Sequence, residues 1–224
     1  MTKTRFPAIF SLMDFNLTEY LRFMALAIVP FFFAITVHEL SHGFVAYRLG
    51  DDTAKNAGRL TLNPFAHIDI FGLLFLLITR LFGWAKPVPV NFGNLRNKKY
   101  GMAIVAFAGP ASNLIIAVIS AILLRLIEFI PVQEGSTAFQ VIYPLYIMIR
   151  LSVQINVALA IFNMIPILPL DGGRILFNFL PMDKAMAFAK TEQYGFFIIL
   201  ALFLTNVFDR TVLPVIRFCY QLLL

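Results

Sequence analysis

Charge is scarce in this chain. Only 13% of its residues are Asp, Glu, Lys or Arg, about half the share found in soluble globular domains. With 60% hydrophobic residues, a large soluble core is excluded and a polytopic membrane protein is indicated. Cysteine is nearly absent: Cys219 stands alone, so neither an internal disulfide nor a Cys-rich zinc site can form. No long polar linker, internal repeat or low-complexity segment interrupts residues 1–224, which read as one domain with a core over about 20–180 and C-terminal helices in 191–224. A signal-peptide core is also missing. The apolar piece at 6–10 is short and no small-residue cleavage site follows it, so the N-terminus is expected to be retained, with 1–19 as an interfacial lead-in. The net charge of +6 is ordinary for a membrane protein with basic cytoplasmic loops and does not point to nucleic acid.

What is present is a series of apolar runs. Residues 23–47 form one, long enough to span a bilayer with some tilt, and Gly50-Asp51-Asp52 ends it. Residues 102–124 carry no charge and are the clearest span. The run 151–170 is the next, and 193–208 and 211–224 are shorter. Residues 125–150 read as a weakly charged connection along the far interface. The run 68–79 is short for a span and suits a re-entrant or interfacial segment at least as well. Arg59-Leu60-Thr61-Leu62 has the pattern of a short strand, and Pro87-Val88-Pro89-Val90 that of an extended edge segment, since proline cannot donate to a ladder. The expected fold is therefore an all-α polytopic membrane protein, with small β-hairpin or re-entrant elements after the first helix.

One polar cluster interrupts the first run. His38-Glu39-Leu40-Ser41-His42 places two imidazoles and a carboxylate where ionisable groups are costly, and such intramembrane groups mark functional sites. On a helix, His38 and His42 lie on one face, one turn apart. Both can reach a zinc ion at about 2.0–2.1 Å. Glu39 is displaced to the flank, placed to take a proton from an attacking water. The matching chemistry is metal-assisted peptide hydrolysis. A chance His-Glu-x-x-His is the bland reading, and the apolar setting argues against it.

A catalytic zinc takes three protein ligands and keeps one position open. His67, Asp69 and Asp171 are the candidates. Asp171 follows two prolines at the end of an apolar run and precedes Gly172-Gly173, residues that break a helix and let a carboxylate turn inward. Two roles are open to it: metal ligand, or cap of a helix starting at Gly172. His67, after Asn63-Pro64, reads as a surface or turn-stabilising histidine.

These residues resemble the site-2 protease family of zinc intramembrane metalloproteases. The likeness rests on His38-Glu39-Leu40-Ser41-His42, on Gly109-Pro110-x-x-Asn113, and on Asn163…Pro166…Leu170-Asp171-Gly172-Gly173-Arg174, in that order over about residues 23–180. The lack of a PDZ-type insertion, with Leu62-Asn63-Pro64-x-x-His67-Ile68-Asp69 and Gly83-Trp84-Ala85-Lys86-Pro87-Val88-Pro89-Val90, is similar to the short prokaryotic branch. The resemblance implies Asp171 as third ligand, one zinc ion per chain, and a three-helix catalytic core (23–48, 101–125 and 150–170) with peripheral helices. It implies transmembrane-helix substrates cut within or near the bilayer, in some relatives anti-sigma factors or membrane-held regulators. Asn163 is open to an oxyanion role or an interhelical bond. Asn113 reads as packing first and as a substrate-side residue second. An edge segment at 86–91 would hold an unwound peptide by strand addition.

Orientation follows from the loops. If 68–79 does not cross, then 48–100 and 171–192, rich in Lys and Arg, share one side, and 125–140, with Arg125 alone, lies on the other. That puts His38, His42 and Asp171 nearer the cytoplasmic face of a prokaryotic plasma membrane. Lys3, Arg5 and Arg22 run against this assignment. The reading from another class is a zinc-binding membrane transporter or sensor without proteolysis. Such a protein has little use for Glu39.

Overall fold

Prolines and short polar clusters divide the chain into helices of very different length. The computed structural model describes residues 17–79, 82–97, 99–133 and 135–224; the interfacial lead-in and retained N-terminus expected for 1–19 lie outside it up to residue 16. Helix α1 (Leu17–Arg48) carries the His-Glu-x-x-His cluster in its C-terminal half. A short α2 (Thr53–Asn56) and a 3-10 turn (Pro64–Ala66) lead to α3 (Ile70–Thr79). After an irregular segment at 82–91 and a 3-10 turn (Phe92–Asn94) come α4 (Gly101–Glu128) and α5 (Thr137–Asn163), then α6 (Asp171–Phe179), α7 (Met182–Ala189), α8 (Gly195–Leu204) and α9 (Val207–Leu223). Thr18–Arg48, Gly101–Glu128, Thr137–Asn163 and Met182–Leu204 are each long and apolar enough to cross a membrane. The protein is an all-α integral membrane protein.

The bundle is built on α1, α4 and α5, which pack against one another. Between helices in lipid, hydrophobicity supplies little drive, and close packing of small residues takes its place. The buried face of α4 accordingly reads Gly101, Ala103, Ala106, Gly109, Ala117, Ser120 and Ala121. Ala34 and Ala46 of α1 and Ala160 of α5 are likewise essentially buried. Ala117, Ala121, Val153 and Val157 form a core with Ile216 and Tyr220, which fixes α9 to α4 and α5.

Two sequence expectations differ from the fold. Residues 137–150 are the first half of α5, not an interfacial connection. That helix ends at Asn163, well short of 170, because Pro166 and Pro169 cannot continue it. Among the described residues there is also no strand. Arg59–Leu62 is irregular, and 82–91 is neither helix nor strand. Some of its backbone donors bond within the chain instead. The Lys86 N–H bonds the His67 carbonyl at 3.0 Å, the Val88 N–H goes to Glu39, and Pro87 and Pro89 have none. The β-hairpin is thus replaced by a helix and a return segment. The bond between residues 67 and 86 brings the chain back to the level at which it left. The ten residues of α3 reach about 15 Å, half a bilayer core.

The return segment is held at both ends. Phe75 of α3, Phe82, Trp84 and Phe196 of α8 meet with ring centroids 5.2 to 5.8 Å apart. At the other end Asp51, fully buried, accepts hydrogen bonds from the Asn91 N–H at 2.7 Å, the Asn94 amide at 2.9 Å, and the backbone and hydroxyl of Thr53. The Arg96 N–H adds a bond to the Leu49 carbonyl, 2.9 Å long. Leu95 packs into Ala46 and Val105.

Burial works against ionising Asp51, but the donors on Thr53, Asn94 and Asn91 outweigh it and hold the carboxyl below its ordinary value. Its contribution to stability is therefore complete above the unfolded aspartate value of about 3.9 and is lost as pH falls through the lower folded value. Asp51→Ala should lower thermal stability in detergent by about 1–3 kcal/mol at neutral pH. Melting curves of both proteins across pH should converge only below about 4.

Candidate metal centre

His38 and His42 project from one face of α1 with their ring planes at 84° and their Nε2 atoms 3.0 Å apart. The third group arrives from a distant part of the chain. Asp171 is the first residue of α6, and its carboxylate oxygens lie 3.2 Å from His38 Nε2 and 3.3 Å from His42 Nε2. The turn 164–170 allows this approach. A Cβ at Gly173 would sit 2.5 to 2.7 Å from the Ile167 and Leu168 backbone, so only glycine lets α6 begin tightly against that turn. Asp171 occupies a helical position and is directed at the two imidazoles instead of capping a helix at Gly172.

The hydrogen bonds behind the imidazoles determine what faces Asp171. His42 Nδ1 lies 2.7 Å from the Val105 carbonyl, which can only accept, so Nδ1 carries the proton. His38 Nδ1 lies 2.6 Å from Asn113 Oδ1. Asn113 Nδ2 donates to the Ala34 carbonyl and to Asn156 Oδ1, which turns its oxygen toward His38. In the neutral imidazoles both Nε2 atoms therefore present lone pairs. Asp171 Oδ2 is buried without a hydrogen bond. With both imidazoles neutral, three acceptors converge and none of them donates to another.

Such a set repels itself unless a cation lies within it. Ligands at 2.0–2.1 Å from a tetrahedral zinc are about 3.3 Å apart, close to the separations seen here. His38, His42 and Asp171 are all buried, and their ligand atoms lie within 4.8 Å of one another. Gly109 of α4 supplies the room: a Cβ there would lie 2.6 Å from His38 Nε2. Two nitrogens and one carboxylate oxygen are a catalytic rather than a structural zinc set. The residues present fit the metal.

Glu39 lies beside this set, with Oε2 accepting the Val88 N–H at 2.8 Å. It lines a cavity of about 720 Å³ together with His38, His42, Trp84, Asn163 and Asp171. The proposed site residues are thus together, except one. Asn113 is fully buried behind His38 and does not line the cavity, so a substrate-side role is replaced by contact with the imidazole. Asn163 reaches the cavity, but its amide N–H donates to the Leu159 carbonyl of its own helix at 3.0 Å. His67 is buried, not on the surface. Its Nε2 donates to the Thr61 carbonyl at 2.9 Å, the turn-stabilising role. Asp69 accepts the Gly72 N–H and caps α3.

Val88, Asp51 and Asn156 were not apparent from sequence. Val88 acts through its backbone, which carries no residue signal. Asn156, a polar residue in an apolar run, carried the same intramembrane signal as His38. Of the backbone donors in 86–91, those of Lys86, Val88 and Asn91 are engaged within the chain. The segment fixes Glu39.

The model of peptidase family M50 matches residues 125–205. Among curated proteins, "Putative zinc metalloprotease YwhC" of Bacillus subtilis (strain 168) is 37% identical over 208 residues, covering 92% of this chain and 92% of its own length. "Putative zinc metalloprotease Rip2" of Mycolicibacterium smegmatis is 29% identical over 199 residues, 86% of this chain and 71% of its own. The protein of the same name from Mycobacterium tuberculosis (strain ATCC 25618 / H37Rv) is 25% identical over 208 residues, 91% and 76% of the two lengths. No solved structure matches significantly.

The Gly109 contact yields a direct test. Gly109→Ala should purify as a folded membrane protein with metal content reduced at least about tenfold, measured by elemental analysis. Zinc retention at the wild-type level would contradict the close approach of α4.

Proposed function

Because the chain belongs to peptidase family M50, the site-2 protease family, we propose that it is a zinc-dependent intramembrane endopeptidase that hydrolyses peptide bonds within or near transmembrane helices. The supporting observation is the convergence of three buried acceptors, His38 Nε2, His42 Nε2 and the Asp171 carboxylate, beside the Glu39 carboxylate on a helix long enough to span a bilayer. One zinc ion per chain would be held by these three residues. When bound, zinc supplies Lewis-acid polarisation and brings the acidity of an attacking water to about pH 7.

The remaining steps belong to the chain's own residues. Glu39 accepts the proton of the attacking water and returns it to the departing amine. Its bond from the Val88 N–H fixes the carboxylate toward the cavity, so the return segment 82–91 acts as a brace for the base. Asn163 can offer its amide to the carbonyl oxygen of the substrate by exchanging its bond to Leu159. Phe31, Phe32, Leu73, Leu76 and Trp84 line the cavity and suit an apolar segment. A helical substrate must unwind first, because its carbonyls are engaged internally.

The substrates on this reading are membrane-spanning proteins, with anti-sigma factors and membrane-held regulators as one class to be tried. The location proposed is the prokaryotic plasma membrane, with the site nearer the cytoplasmic face. The loop charges support that side.

Glu39→Gln tests the mechanism. In metal analysis with a panel of single-span substrates, the variant should keep about one zinc per chain while cleavage falls by about 10²–10⁴-fold. Undiminished cleavage would contradict the role of Glu39. Zinc binding without cleavage of any substrate by the wild type would favour a transporter or sensor.

A further inference from the structure

The polar chain behind His38 extends further than the metal centre needs for packing. It runs across two helices. Ser120 and Ser152 hydroxyls lie 2.9 Å apart. Asn156 Nδ2 donates to the Ser152 carbonyl at 2.8 Å and approaches the Ser152 hydroxyl at 3.3 Å. Asn156 Oδ1 accepts from Asn113 Nδ2 at 2.8 Å, and Asn113 Oδ1 faces His38 Nδ1 at 2.6 Å. Asn113 and Asn156 are both fully buried, and each unmade bond at such depth is costly.

Either serine hydroxyl can donate to the other, but from the Ser152 carbonyl onward each link follows from the one before it. A backbone carbonyl only accepts, so the Ser152 carbonyl requires the amino group of Asn156 on its side. That leaves the Asn156 oxygen for Asn113, which must then present its own amino group. The Asn113 oxygen is left for His38, whose Nδ1 must carry the proton. The Nε2 lone pair that faces Asp171 is the last consequence. Reversing Asn113 would set its oxygen against two acceptors, Asn156 Oδ1 and the Ala34 carbonyl, and its amino group against His38. The proton of His38 would then move to Nε2, the atom proposed to hold the metal.

We propose that Asn156 is a positioning residue. It sets the orientation of the Asn113 amide and, through it, the tautomer of His38. The inference rests on the zinc reading above. Asn156 does not touch substrate and lies one side chain removed from His38. Neighbours of metal-binding histidines commonly change affinity by about 10–100-fold when altered. Here the effect is transmitted through a residue that itself could face either way.

The test uses an acceptor that cannot be reversed. Asp at position 113 presents oxygen toward His38 in either orientation, so it makes the relay unnecessary. Zinc affinity is measured on the full-length protein by chelator competition for wild type, Asn156→Leu, Asn113→Asp and the double variant, with melting curves of each. The relay predicts that Asn156→Leu weakens zinc binding by about 10–100-fold with Asn at 113, and by less than about 3-fold with Asp at 113. An equal loss in both backgrounds would mean that Asn156 serves packing alone and would overturn the proposal. So would no loss in either. If Asn156→Leu does not fold, Asn156→Ala makes the same comparison with the same outcomes. Wild-type protein without stoichiometric zinc would overturn the metal reading itself, a result distinct from these.

Discussion

Everything in this structure is arranged around three lone-pair-bearing atoms pointed at one another. Two imidazole nitrogens and a carboxylate stand within 3.0 to 3.3 Å, and neutral imidazoles bring no proton among them. In an apolar helix bundle that arrangement is strongly unfavourable by itself. It is maintained because each imidazole's other nitrogen is committed elsewhere, one to a backbone carbonyl and one to an asparagine. The surrounding helices do not tolerate the polar cluster so much as enforce its polarity.

The helix packing serves the same constraint. α4 can approach the imidazoles only through Gly109, and α6 can bring Asp171 in only because Gly173 lies against a turn that two prolines have already broken. The small residues along α4 give lipid-embedded helices their close contact. Here they also allow the metal centre to sit where three segments meet: α1, α4 and the start of α6. The segment 82–91 completes the site from outside the bundle. Its anchors are remote, Asp51 at one end and the aromatic group with Phe196 at the other, and its effect is local. It places one backbone N–H on Glu39.

Much of the site was legible because chemistry that is costly in lipid stands out in an apolar sequence. His38, Glu39, His42 and Asp171 could be read that way, as could the spans of α1 and α4. The start of α5 could not. Tyr143, Pro144, Tyr146 and Arg150 dilute its hydropathy, yet they lie on a helix long enough to reach the far interface. The Pro-Val alternation at 87–90 lies in a stretch that is neither helix nor strand. What it could not show is that the Val88 N–H meets Glu39, since the placement of the segment depends on Asp51 holding Asn91 across the loop. Asn113 was visible as a polar residue in a span, but its role depended on a partner in α5. Orientation of an amide is set by contacts between helices, and local sequence does not carry it.

The central claim is that the converging acceptors hold a metal through two nitrogens and one oxygen. X-ray absorption at the zinc edge on purified wild-type protein measures that directly. The account predicts two imidazole nitrogens and light oxygen scatterers at about 2.0–2.2 Å, with no sulfur. A sulfur shell at about 2.3 Å, or a spectrum without imidazole that is unchanged in His38→Ala, would contradict it.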